Sequence, residues 1–174
     1  LYGQMIGEDE AGGFPSRYLA QFGLEGSGIT QGQTSFRWFL EAAGTSCDVV
    51  KSEVRYNCGY RQSIYESGYT YYGRIIGHGL DNDALVYSAG VVIVSSEGNT
   101  WQFLGRTGEL NRVGVDPDHS VAVLPQDLMS FDIQHSRSTK IGRFDIGVGY
   151  EQREIKATGT SADDTRAFLR WTSR

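Results

Sequence analysis

The residues best equipped for chemistry fall in three runs. Gly77-His78-Gly79-Leu80-Asp81-Asn82-Asp83 is the most polar compact segment. Glu109, Asn111 and Arg112 open a longer polar stretch that includes His119, and Tyr56, Tyr60, Tyr65, Tyr69, Tyr71 and Tyr72 crowd one aromatic-rich region. Asp81 and Asp83 have the spacing that starts a calcium loop, but Leu85 fills the next ligand position and no bidentate Glu follows at the required distance. A hydrogen-bonded turn is the better reading, and no metal or other cofactor is expected. His78, His119 and His135 are too scattered to share a metal. There is no Gly-x-Ser-x-Gly elbow and no phosphate-cradling glycine loop, and the Asp163-Asp164 pair lies in a loop with nothing to position it for glycoside hydrolysis. Catalysis is not expected. Sugar binding is open to these runs, because planar polar side chains match hydroxyls and aromatic faces match the apolar patches of a pyranose. Tyr56, Tyr60, His78, Asp81, Asn82, Asp83, Glu109, Asn111 and Arg112 are the candidate polysaccharide-binding residues. The plainer alternatives are turn formers for the aspartates, rim ion pairs for Glu109 and Arg112, and an interfacial girdle for the tyrosines.

The elements that must position these residues read as strands almost throughout. In Phe144-Asp145-Ile146-Gly147-Val148-Gly149-Tyr150, large apolar residues alternate with Asp and Gly. Met129, Phe131 and Ile133, then Phe36, Trp38 and Leu40, then Ala167, Leu169 and Trp171 repeat the two-residue period, which puts one apolar and one mostly polar face on each strand. Arg37, Glu41, Arg106, Asp132, Gln134, Arg143, Asp145, Arg166 and Arg170 occupy the polar parity inside the strands rather than at their ends. In a water-soluble sandwich they would form the wet outer face. In a membrane barrel they would line the lumen, with arginines and carboxylates paired across strands.

Loop lengths favour the barrel. Counted back from the C-terminus, 157–164 is medium, 138–142 tight, 110–126 long, 95–99 tight, 77–83 medium and 27–32 short. Long connections on one side and tight turns on the other are the habit of outer-membrane barrels. Preserving that alternation requires a turn at Glu66-Ser67-Gly68, and gives about ten strands near 1–8, 17–26, 33–44, 58–66, 69–77, 84–95, 100–109, 127–138, 142–156 and 165–174. The composition agrees, with 39% hydrophobic residues, Gly 23 and Tyr 10. A barrel with a wet lumen needs only one apolar residue in two along each strand. A net charge of -5 without a basic cluster argues against a nucleic-acid partner. No run approaches the ~20 apolar residues of a membrane-spanning helix. Cys47 and Cys58, close in one loop-like segment, are expected to form a loop-closing disulfide if the chain is exported.

Several segments, in order, resemble the capsule assembly Wzi family of outer-membrane proteins: Leu1 to Ser16, Tyr65 to Arg74, Ile76 to Asp83, Gly108 to Arg112 and Pro125 to Leu128. The resemblance runs over nearly the whole chain. It implies an all-β, antiparallel up-and-down transmembrane β-barrel in the bacterial outer membrane. Residues 1–174 would form a single barrel domain, the C-terminal portion of a larger protein whose N-terminal strands and helical element lie elsewhere. The implied function is non-enzymatic, lectin-like binding and organisation of exported capsular polysaccharide. Outer-membrane lipid is the other expected partner, and the full-length protein is expected to be a monomer. A porin or saccharide channel is the alternative. The chain starts at Leu1 without a visible export signal and closes on Trp171-Thr-Ser-Arg174 instead of a terminal aromatic. A fragment of a longer exported chain is expected on both counts.

Overall fold

A computed structural model gives the fold and describes residues 1–11, 14–47, 55–60 and 68–173. The described residues form ten strands: β1 (Tyr2–Ala11), β2 (Phe14–Ile29), β3 (Ser35–Gly44), β4 (Thr70–Tyr71), β5 (Arg74–Ile75), β6 (Leu85–Val94), β7 (Thr100–Leu110), β8 (Gln126–Thr139), β9 (Gly142–Ile155) and β10 (Thr160–Thr172). Eight of them build one antiparallel sheet in the order β1-β2-β3-β6-β7-β8-β9-β10. Every neighbouring pair in that wall is also consecutive along the sheet's path, which is the meander expected of an up-and-down barrel.

The expected strands near 58–66 and 69–77 are not in the wall. β3 pairs directly with β6, from Ser35↔Val94 to Gly44↔Leu85, leaving no place between them. Residues 61–67, including most of the first expected strand and the Glu66-Ser67 turn, lie outside the described residues. The second becomes a small hairpin, β4–β5, turning at Tyr72-Gly73. It is short because glycines at 73, 77 and 79 interrupt any longer apolar alternation.

Three connections fall at one end of the wall. Residues 30–34, 95–99 and 140–141 connect strands there, with Ser95 N–H donating to Asn99 O and Gly98 taking a φ of 79°. The opposite end carries the excursions 45–84 and 111–125 and the turn 156–159. We call these the short-turn and long-loop ends.

The pairing registers sort side chains onto two faces. Leu24↔Leu40, Leu40↔Ala89 and Ala89↔Gly105 place one parity together, and Gly105↔Phe131 and Phe131↔Tyr150 extend it. This face holds Phe22, Leu24, Trp38, Leu40, Val91, Phe103, Met129, Phe131, Ile133, Ile146, Val148, Leu169 and Trp171. No second sheet covers it among the described residues. Phe131 is 46% exposed, Val148 53% and Leu169 74%. A soluble sandwich would bury these residues between two sheets. They are bare.

The other parity is ionic, and it also explains the abundance of glycine. Tyr2, Phe39 and Phe168 lie across Gly23, Gly90 and Gly147, where an added Cβ would come within 2.2–2.3 Å of ring atoms. Gly26 and Gly28 do the same for Trp38 and Phe36 on the apolar face. An aromatic ring laid over a cross-strand glycine restores the packing that the missing side chain would have made.

Candidate functional site

All nine polar-parity residues singled out in the sequence share the second face. Arg37↔Val92 and Glu41↔Ser88 align with Ser88↔Arg106, and Arg106↔Ser130 continues to β8, where Asp132 and Gln134 have the same parity as Ser130. Asp132↔Gly149 and Ser136↔Asp145 carry the face to β9, where Arg143 and Asp145 sit, and Arg166↔Gly149 and Arg170↔Asp145 to β10. Arg166 Nη2 meets Asp132 Oδ1 at 2.7 Å, and Asp145, 1% exposed, lies between Arg143 (2.8 Å) and Arg170 (2.9 Å). Arg37 pairs with Glu25 at 2.5 Å, while Glu41 accepts hydrogen bonds from Tyr2 and Gln21. Turning the five arginines of this set toward hydrocarbon instead would cost on the order of 10–20 kcal/mol at ~2–4 kcal/mol each near a bilayer centre. The face that can meet lipid is the other one.

Near the long-loop end the ionic face changes character. Val86, Leu110 and Leu128 share its parity through Val86↔Gly108 and Gly108↔Leu128, yet they are apolar and at most 4% exposed. Together with Ala84 and Ala122 they form the largest buried apolar cluster, against which Leu80 and Val121 pack. The described parts of excursion 45–84 around Leu80 and Ala84, and excursion 111–125 around Val121 and Ala122, therefore fold inward over the long-loop end of the ionic face. Tyr60 and His78 pack there as well, beside Gln4, Leu19, Gln21, Ala43 and Thr45. The signal was present in the sequence as three aliphatic residues on a polar parity, one near the loop end of each of three successive wall strands.

The two excursions are clasped together. Asp81 Oδ2 accepts hydrogen bonds from the Ser120 backbone N–H at 2.6 Å and the Ser120 hydroxyl at 2.5 Å, and Asp81 Oδ1 accepts from Asn82 N–H at 2.7 Å. His119 lies 3.0 Å from Asn82 O through Nε2, while its Nδ1 accepts from Ala122 N–H (3.0 Å) and Val121 N–H (3.3 Å). Two donors on Nδ1 fix the proton on Nε2, which then donates to the Asn82 carbonyl. Arg112 N–H donates to Asp83 O and its guanidinium to Ser46 Oγ; Asn111 Nδ2 holds Ala122 O and Val123 O. Cys47 and Cys58 are joined by a disulfide, and Asn57 N–H, next to Cys58, donates to the Asp83 carboxylate at 3.0 and 3.1 Å.

These contacts divide the sugar-binding candidates. Asp81, Asn82, Asp83 and Asn111 are 0–2% exposed, so their side chains hold the loops rather than meet a glycan. Asp81, Asp83 and Asn111 also take φ values of 69°, 53° and 49°, a left-handed geometry that Asp and Asn tolerate best. That backbone demand is the physical reason for the acidic, amide-rich run. Glu109 has the parity of the apolar face, in register with Asp127, and pairs at the rim with Lys156 (2.7 Å) and Arg112 (3.3 Å). Tyr60 is a half-buried strut: its hydroxyl accepts from His78 N–H and its ring lies over Gly77. His78 is half-buried too, and desolvation lowers its pKa below 6.5. Tyr56 is 36% exposed. His119, Ser120, Thr45 and Ser46 complete the clasp, and sequence spacing alone did not single them out as its partners.

Tyr56, Tyr60, Tyr69, Tyr71 and Tyr72 lie in the excursion rather than in the wall, and Tyr65 falls outside the described residues. All three tryptophans, Trp38, Trp101 and Trp171, instead sit on the apolar face near the short-turn end, with Trp101 stacked 6.1 Å from Phe103 and 4.3 Å from His135. Tyr18, Tyr87 and Tyr150 occupy the same face toward the long-loop end. Amphipathic rings at the two ends of an apolar band are the mark of bilayer interfaces. Ten residues of β6 at ~3.3 Å per residue and a tilt of ~40° stand about 25 Å tall, the height of such a band.

A two-faced antiparallel meander with tight turns at one end and inward-folded loops at the other is the wall of a transmembrane-type β-barrel. The chain belongs to the family of the capsule assembly protein Wzi, whose family model matches residues 1–166. A solved structure from Escherichia coli, described as Wzi, an outer-membrane protein involved in group 1 capsule assembly and a carbohydrate-binding β-barrel, superimposes with a TM-score of 0.77 at 22% identity. The match covers 99% of this chain and 38% of that one, so the present chain spans well under half of that barrel. No curated protein sequence matches the chain.

Proposed function

We propose that this chain forms part of an outer-membrane barrel that binds exported capsular polysaccharide and organises it at the cell surface, without catalysing a reaction on it. The observation that carries the reading is the pairing of a bare apolar band with a clasped, polar long-loop end. The band seats the wall in lipid, which places the three tryptophans at the periplasmic interface and the loops outside. The polar parity then lines the lumen, with Arg37, Glu41, Arg106, Asp132, Gln134, Arg143, Asp145, Arg166 and Arg170 as its ionic lining. Family membership supports capsule assembly as the process, and the carbohydrate binding described for the Escherichia coli structure supports glycan as the ligand class. Tyr56 and the rim residue Glu109 are the most solvent-exposed of the sugar-binding candidates, with His78 and Tyr60 half-buried.

The loops weigh against the channel reading. A conducting porin needs an open mouth, whereas Leu80 and Val121 pack over the long-loop end of the polar face and the Asp81–Ser120 contact clasps the two loops together. The test deletes the gene from its encapsulated host and measures cell-attached against released capsule. Loss of attached capsule, restored by the full-length gene, is the expected result. Normal capsule retention combined with sustained conductance of the purified protein in planar bilayers would overturn the proposal in favour of a channel.

A further inference from the structure

The β4–β5 hairpin has two unlike faces. Thr70 and Ile75, directly paired, are half-buried and turn toward the protein. Tyr71 and Arg74, also paired, lie on the opposite face with Tyr69 and Ile76, and that face is open: Tyr71 is 67% exposed, Tyr69 62% and Ile76 50%. Tyr72 caps the turn at 89% exposure and sets its ring edge-on to Tyr71, with centroids 4.6 Å apart. Three tyrosines, one isoleucine and one arginine thus cover an outward ribbon beyond the end of the wall.

Water does not favour this arrangement, and neither does the turn. Tyr72 has a φ of 49° and Gly73 one of 72°, the two left-handed positions of a tight hairpin turn. Asn, Asp or Gly suits the first of them, and a tyrosine there costs about 1–2 kcal/mol. The ribbon is nonetheless held firmly. Tyr69 N–H donates to Tyr60 O at 2.7 Å, Ile76 N–H to Tyr69 O at 2.9 Å, and the Tyr60 ring is locked over Gly77. A strained residue kept at a rigid, exposed tip points to work done there.

We propose that Tyr69, Tyr71 and Tyr72, with Arg74 beside them, form a stacking platform for successive sugar rings of a surface polysaccharide. Tyr69 and Tyr71 stand two residues apart on one ribbon face, about 6.8 Å along the strand. They offer ring faces in line, as a linear glycan requires, and with little side-chain entropy to lose because only two torsions need fixing. Arg74 supplies a planar fork for hydroxyl or carboxylate oxygens next to the rings. This inference rests on the glycan-binding reading above and names the surface that performs it. It replaces Asp81, Asn82, Asp83 and Asn111, which are enclosed.

The test uses the full-length barrel in detergent and capsular polysaccharide purified from the strain that carries the gene, with affinity measured by calorimetry. Tyr71→Ala combined with Tyr72→Asn is expected to weaken binding by about tenfold or more. Tyr71→Phe, which keeps the ring, should stay within about twofold of the parent. Tyr72→Asn places a favoured residue in the turn, so the double variant should melt no earlier than the parent, which separates lost contact from lost fold. Parent-like affinity of the double variant overturns the platform and leaves the glycan reading intact. Absence of binding by the parent protein overturns that reading itself. Protection of an Ile76→Cys thiol from maleimide in the free barrel would show the ribbon covered by another loop, and would also overturn the platform.

Discussion

Replacing Asp81 with Ala should unclasp the two long excursions while the wall stands. The buried carboxylate takes three hydrogen bonds, from Ser120 N–H, the Ser120 hydroxyl and Asn82 N–H. Its removal leaves two backbone donors without an acceptor, at roughly 1–3 kcal/mol each, the lower end applying to Ser120, which water can reach. Alanine at a φ of 69° adds about 1–2 kcal/mol, a strain that Asp tolerates better. The total, about 3–6 kcal/mol, falls on the docking of residues 111–125 against 68–84 and on little else, because none of the three donors belongs to the wall's ladders. Amide hydrogen exchange on the full-length protein reads it directly. Protection at Arg112, Ser120 and Ala122 should drop by about a hundredfold or more, since 1.4 kcal/mol is a factor of ten. Amides of β7 to β9 should keep theirs. Asp81→Asn, which retains the backbone preference and one acceptor oxygen, should fall in between. If loop protection were unchanged, or if wall and loops lost protection together, the separation of clasp from wall argued here would be wrong.

Three further outcomes follow from the same geometry. Val148→Arg, on the bare face midway along β9, should destabilise the barrel in bilayers by ~2–4 kcal/mol in denaturant titrations, whereas Gln134→Arg on the ionic face should change stability by well under half of that; equal effects would refute the assignment of faces. Reduction of Cys47–Cys58, which closes a loop with a sequence separation of 11, should lower the stability of the excursion by about 2–3 kcal/mol and expose it to limited proteolysis, with the wall still resistant. Burial holds the His78 imidazole below its usual 6.5, so the unfolded segment takes up the proton first as the pH falls. Its stabilising share is therefore complete above 6.5 and is lost as pH drops through 6.5 toward the lower folded value. Loop proteolysis should accelerate between pH 7 and 5, and His78→Gln should flatten that dependence.

The wall was legible in the sequence because a two-residue period leaves no freedom: once Phe131 faces outward, Asp132 cannot. The same rule put the nine ionic and amide residues on one shared face without any knowledge of pairing. It failed over 45–84 for a reason that is also geometric. Adding or removing two strands leaves every later strand pointing the same way, so loop parity cannot distinguish a wall hairpin from an excursion. Only the ladder from Ser35↔Val94 to Gly44↔Leu85 decides the matter, and its pairings span roughly 40–60 residues of chain. The site was harder still. Asp81, Asp83 and Asn111 read as ligand-binding groups because carboxylates and amides serve sugars, metals and left-handed backbone equally well. What separates these uses is burial, set by Val86, Leu110 and Leu128 drawing the loops inward. The tyrosines raise the opposite difficulty: a girdle is the economical explanation for a Tyr-rich run, yet the rings that register gathers on the apolar face include Trp38, Trp101 and Trp171, spread over 134 residues of sequence. Tyr69, Tyr71 and Tyr72 stand outside that face on a separate hairpin, with Tyr72 held in a left-handed turn position, and it is this combination of exposure and strain that the proposed sugar platform explains.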